Sequence, residues 1–190
     1  MSDSLTAHSD QRPVMIILTG GRSAPAVLGA LTVKPRSVEL INSRDEPQRQ
    51  NEVLSALSAQ ADIAQSATSE TIDAFDMDEA YAACNRIVRR AGDGPFVINL
   101  SSGTKVMALG AYEYARQHRI PARYVDTNAR RVRDLTTNQS FSTVPLTVAS
   151  YLACYGRSPV AKFNEVALCC PLEQAIELAG WFVAVEEPAL

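Results

Sequence analysis

Two short apolar runs, each closed by small hydroxyl and glycine residues and followed by a helical pattern, constrain this chain most. Val14-Met15-Ile16-Ile17-Leu18 runs into Thr19-Gly20-Gly21, and Phe96-Val97-Ile98-Asn99-Leu100 runs into Ser101-Ser102-Gly103. A run without polar alternation suits a strand covered on both faces, the condition inside a parallel sheet. A helix after each run supplies both the cover and the crossover. Related punctuation recurs along the chain. Val38-Glu39-Leu40-Ile41 ends at Asn42-Ser43-Arg44, Thr71-Ile72-Asp73-Ala74-Phe75 reads as a weaker third strand, and Ala122-Arg123-Tyr124-Val125-Asp126 as a fifth.

The helices are marked at their starts and stops. Pro25 sits in the first turn of a helix opened by Ser23-Ala24, where a missing N–H costs nothing, and Val27, Leu28 and Leu31 line it. A second helix begins near Asp45-Glu46-Pro47 with Val53, Leu54 and Leu57 on one stripe. Asp76 and Glu79 form a capping box for a third, which buries Ala80, Cys84 and Ile87 and stops at Gly92. Segments 132–135 and 140–144, turned by Thr136-Thr137-Asn138, predict a hairpin at the sheet edge. Strand alternating with helix four or five times predicts an α/β chain: a Rossmann-like open, mostly parallel sheet flanked by helices, with right-handed crossovers. Residues 1–13 read as a flexible leader and 14–156 as the sheet domain. Residues 157–190 read as a short C-terminal helical extension, apolar nearly all round through Ile176, Leu178, Trp181, Phe182 and Val183.

Composition narrows the function. The 190 residues are 46% hydrophobic and 21% charged, as in globular proteins, and the net charge is -3. That balance argues against coating long nucleic acid, although a small polyanion can still be held by a local positive site. The four cysteines, Cys84, Cys154, Cys169 and Cys170, have no metal-ligand spacing, and His8 and His118 do not complete a zinc set. Neither a metal nor a cofactor is expected. Without a secretory signal, the reading is a cytoplasmic protein with reduced thiols. No stretch offers the roughly 20 consecutive apolar residues that a bilayer requires, so no membrane insertion is expected.

The chemistry concentrates in two strand-to-helix loops, Thr19-Gly20-Gly21-Arg22-Ser23 and Ser101-Ser102-Gly103-Thr104-Lys105. A helix start presents unpaired N–H donors and a partial positive charge to an anion. Glycine permits close approach of the backbone, hydroxyls add donors, and each loop carries one cation. With strand order 3-2-1-4-5 the first and fourth strands are neighbours, and ligands bind where the order reverses. The two loops, some 80 residues apart in sequence, then share one crevice, with Asn42, Ser43 and Arg44 and also Asp126 beside it. Neither a Walker A loop nor a GxGxxG fingerprint is present, which disfavours a nucleotide-cofactor enzyme. No Ser-His-Asp or Cys-His arrangement is credible.

The segment Leu18-Thr19-Gly20-Gly21-Arg22-Ser23-Ala24-Pro25 and the stretch Asn99-Leu100-Ser101-Ser102-Gly103-Thr104-Lys105-Val106-Met107 resemble the CRISPR-associated Rossmann-fold (CARF) domain. The second stretch is the specific part: it is similar to an Asn-x-[ST]-Gly-Gly-Thr-Lys-like loop that opens the fourth helix. The likeness runs over roughly residues 14–156. It implies a sensor of cyclic oligoadenylate in type III CRISPR signalling: a homodimer that holds one ring, most often the tetra-adenylate, between two facing crevices. It further implies an effector domain, fused or separate, which is not seen in this sequence. Ser102 stands where many relatives have glycine. A second reading is a ring nuclease that cuts its own ligand by metal-independent attack of a ribose 2′-OH, with Ser101, Thr104 and Lys105 as candidate catalytic residues.

Overall fold

The first strand, β1 (Val14–Thr19), is buried along its whole length, as an unbroken apolar run requires. The structure, a computed structural model, describes residues 12–60 and 63–157, with 64–68 described by their backbone alone. After β1 come α1 (Ser23–Val33), β2 (Ser37–Ser43), α2 (Gln48–Ser58), β3 (Ala64–Ile72), α3 (Met77–Ala91), β4 (Phe96–Asn99) and α4 (Lys105–His118). The series ends with β5 (Ala122–Asp126), β6 (Arg131–Asp134), β7 (Ser140–Ser142) and α5 (Val148–Ala153). The sheet order is β3-β2-β1-β4-β5-β6-β7. The first five strands are parallel, and the β6–β7 hairpin adds two antiparallel strands beyond β5. This is the Rossmann-like α/β architecture expected from the alternation.

Successive residues of β1 point to opposite cores. Ile16 and Leu18 join Ile41 and Ile98 beneath α3 and α4, against Cys84, Ile87, Met107 and Tyr114. Met15 and Ile17 join Val38, Leu40 and Val97 beneath α1 and α2, against Val27, Leu31, Val53 and Leu57. Both faces of the central strands are therefore dry, which explains why their sequences carry no alternation. Cys84 is fully buried and Cys154 nearly so, both as free thiols. Burial pushes the Cys84 thiol up to about 12, so it stays protonated and inert.

The structure differs from the sequence pattern in two places. The third strand lies at 64–72, earlier than the expected 71–75, and leaves the sheet at Asp73. There the Asp73 carboxylate accepts the Phe75 N–H at 2.8 Å and turns the chain. The capping box is only half formed as expected. Asp76 accepts the Glu79 N–H at 2.9 Å, but the Glu79 carboxylate accepts from Asp73 N at 2.7 Å instead of Asp76 N. The Asp76 amide already donates to the Asp73 carbonyl, so the carboxylate takes the next free donor. The remainder of the expected leader, the C-terminal helical extension, Cys169 and Cys170 lie outside the described residues.

Candidate functional site

Because β1 and β4 are paired in parallel, with Ile17 opposite Asn99, the two loops that follow them leave the sheet side by side. Backbone contact then joins them. Gly103 N donates to the Gly20 carbonyl at 3.0 Å, and the buried Ser102 hydroxyl is within bonding reach of the Gly20 carbonyl and of the Arg22 carbonyl at 2.9 Å. A Cβ on Gly20 would lie 3.2 Å from Gly103 Cα, and both glycines have positive φ (+146° and +80°). Only glycine fits on either side of this seam.

A buried polar framework supports the seam from below. Asn99, fully buried, donates from Nδ2 to the Ala26 carbonyl of α1 at 2.9 Å and accepts the Ser101 N–H at 3.0 Å. Gly29 makes room for that amide: a Cβ there would stand 2.2 Å from Nδ2. Thr19 Oγ1 donates to Asn42 Oδ1 at 2.6 Å, and Asn42 Nδ2 donates to Gln50 Oε1 at 2.6 Å. Ser43 Oγ accepts the Asp45 N–H at 3.2 Å. The side chains of Thr19, Asn42 and Ser43 are thus buried and internally satisfied.

Other candidates sit at the rim with their polar atoms engaged. Ser23 donates to Glu52 at 2.6 Å, and Ser101 Oγ accepts the Val125 N–H at 2.8 Å. Thr104 caps α4, accepting Met107 N at 3.1 Å and donating to the Ala74 carbonyl. Asp126 accepts the Ala129 N–H at 3.0 Å and pairs with Arg133 at 3.3 Å. The Ala129 bond chiefly holds its carboxyl below the usual carboxylate range.

Exposed at this edge are Gly21, Arg22, Arg44 and Lys105. Arg44 meets Glu79 at 3.5 Å with both side chains well exposed, a contact of little strength. Among the described residues no carboxylate pairs with Arg22 or Lys105, so two cations of the adjoining loops stand available. No group of three His, Cys, Asp or Glu among the described residues is placed to hold a metal ion. None of the described helices is long and apolar enough to cross a membrane. Of two grooves, one of about 420 Å³ between α2 and α5 is lined in part by Glu52, the partner of Ser23, and one of about 540 Å³ lies at the amino ends of β4 and β5, away from the seam.

Of four charged neighbours, sequence reasoning gave Glu46 and Glu79 only helix-start roles and passed over Arg49 and Glu52. Gly21 N donates to Glu46 Oε2 at 2.7 Å, and Arg49 holds Glu52 through Nη1 at 3.0 and 2.9 Å. Their signal was position: three of them cluster just after β2, on the same carboxyl edge as the two loops. Asn99 also carried a signal, as one amide inside an otherwise apolar strand.

Residues 31–151 match the family model described as the Card1 CARF domain. No curated protein matches the sequence. Among solved structures the chain is similar to Can2 from Sulfobacillus thermosulfidooxidans in complex with cyclic tetra-adenylate. That match has a TM-score of 0.68 and 25% identity, over 76% of this chain and 41% of that one. In fold it is similar to a type III CRISPR defence DNA nuclease activated by cyclic oligoadenylate (TM-score 0.61, 20% identity, 77% of this chain and 24% of that one). It is likewise similar to protein VC1899 from Vibrio cholerae (TM-score 0.65, 18% identity, 76% of this chain and 39% of that one). The chain spans less than half the length of each of these structures.

Proposed function

The chain belongs to the Card1 CARF domain family, and from that premise we propose that it senses cyclic oligoadenylate in type III CRISPR antiviral signalling. The observation that carries this reading is the seam: two helix-opening loops bonded through Gly20, Ser102 and Gly103, with Arg22, Arg44 and Lys105 exposed on the same edge. Backbone donors with local cations suit the phosphodiesters of a small polyanion, and the overall negative charge does not oppose it. The likeness to Can2 with its bound tetra-adenylate supports that ring as the ligand.

The finer proposal is one cyclic tetra-adenylate per homodimer, with each subunit's edge neutralising about half of the ring's charge. Phe75, Met77 and Leu109 are exposed beside the α4 start and offer an apolar flank for self-association. The ring favours one arrangement of the two subunits, and that shift passes to an effector, fused or separate. Calorimetry of the full chain with cyclic tetra- and hexa-adenylate tests it, with one tetra-adenylate per two chains and a thermal upshift expected. Lys105→Ala is expected to lower affinity about tenfold or more and to flatten the salt dependence. No heat and no upshift with either ring refutes the reading.

Ring cleavage is the less favoured reading, because the Thr104 hydroxyl proton is spent on the Ala74 carbonyl and, of the two candidate hydroxyls, only that of Ser101 keeps a proton to donate. Prolonged incubation of the ring with protein decides it by chromatography: linear product that disappears in Lys105→Ala supports cleavage, and an intact ring removes it.

A further inference from the structure

An exposed residue of the first loop has its backbone donor already occupied. Gly21, in the left-handed region at φ +64°, has nothing within 4 Å of where a side chain would begin, so its approach is open. Yet its N–H donates to Glu46 Oε2 at 2.7 Å, a short charge-assisted bond. The same oxygen lies 3.6 Å from the Cβ position of Gly20, where Gly103 is the other near neighbour. One carboxylate therefore lies against the junction of the two loops. The Glu46 backbone is held in the β2–α2 turn, donating to Ser43 O at 3.3 Å and accepting from Arg49 N at 3.2 Å.

We infer that Glu46 is a built-in competitor of the ligand: its carboxylate holds the Gly21 amide that an incoming phosphate needs, and binding transfers it to Arg49. This rests on the anion-binding reading of the seam. Arg49 is suited to receive the carboxylate. Its Nη1 is committed to Glu52, while Nη2 reaches Glu46 Oε1 only at 3.5 Å, and its buried Nε has no acceptor. A phosphate cannot share Gly21 N with a carboxylate, since two anions then meet across one donor. The free protein is thus stabilised by an internal anion, and affinity for the ring is set by the difference between the two.

The test compares wild type with Glu46→Gln and Glu46→Ala, using calorimetry with cyclic tetra-adenylate. The Gly21 amide is followed by nuclear magnetic resonance while inorganic phosphate is added to each protein. Glu46→Gln keeps the size and one acceptor oxygen, and so guards against a folding defect. Both variants are expected to bind the ring about tenfold tighter, and their Gly21 amides to respond at lower phosphate than in wild type. Equal or weaker ring affinity in both variants overturns the inference; a loss would mean that Glu46 receives a donor of the ligand. If none of the three proteins binds the ring, the sensing reading fails and the phosphate titration alone judges Glu46. A Gly21 amide no more responsive in the variants then overturns the inference, and a more responsive one supports it.

Discussion

Asn99 shows how much of the site rests on one side chain. Fully buried, it ties α1 to the loop after β4, and Gly29 exists to admit it. Glycine inside a helix normally costs about 0.5–1 kcal/mol relative to alanine, so Gly29→Ala would stabilise an exposed helix. Here the new Cβ must expel the Asn99 amide, and overpacking with loss of a buried hydrogen bond costs more, about 2–3 kcal/mol. Gly29→Ala is therefore expected to lower the denaturation midpoint in urea, and a raised midpoint would show that Asn99 does not hold α1. Ser102 makes a second such case. Its hydroxyl is spent on the opposite loop, so Ser102→Ala is expected to cost about 1 kcal/mol in thermal unfolding even without ligand. An unchanged melting temperature would return Ser102 to the list of free donors for the ring. The hydroxyls of both loops were legible as types; that several would be consumed in bonding one loop to another was not.

At the scale of elements, the helix ends were the most legible part of the chain. Asp76 caps α3 through a local bond three residues long, which depends on little beyond the sequence around it, whereas the same role of Thr104 at α4 came from the structure. The contact between those helices is another matter. Gly110 of α4 faces the Met77 carbonyl of α3, where a Cβ would fall at 2.2 Å. Gly110→Ala is expected to force the helices apart and lower stability by about 1–3 kcal/mol, more than the helix propensity it gains. Denaturation monitored by circular dichroism checks the sign. β3 was misplaced for a comparable reason. The stretch from Ala64 to Glu70 has no apolar run to mark a strand, and the pairing of residues 64–65 and 69–72 with β2, on either side of a register shift, makes it one.

Across the whole molecule, an ion network joins the sheet to its cover. Arg90 of α3 bonds Glu39 of β2 at 2.9 Å and Glu70 of β3 at 2.8 Å, and Arg86 bonds Glu70 at 2.8 Å. Burial alone would raise the Glu70 carboxyl, but the bonds from Arg86 and Arg90 outweigh it and hold the group below its ordinary value of 4.5. The sign follows directly. The unfolded chain binds this proton more readily, so the stabilisation is full above 4.5 and is lost as pH falls through the lower folded value. Acid denaturation is expected to be less steep in Glu70→Gln than in wild type below that pH, and parallel curves would remove the network from the acid response.

The alternation of apolar runs with capped helices determined the fold class, and, once the order β3-β2-β1-β4-β5 is given, the edge on which two loops meet. These follow from solvent exclusion and local hydrogen bonding, which depend on residue type and spacing alone. The chain's primary structure also marked those loops as rich in donors. Tertiary structure decided which donors remain available. Asn42, Thr19 and Ser102 face inward and bond one another or the backbone, while Arg22 and Lys105 face out, because burial obliges every polar group to find a partner among whatever the packing brings near. The carboxylate on Gly21 is the clearest instance: Glu46 meets that amide only because β1 and β2 lie side by side.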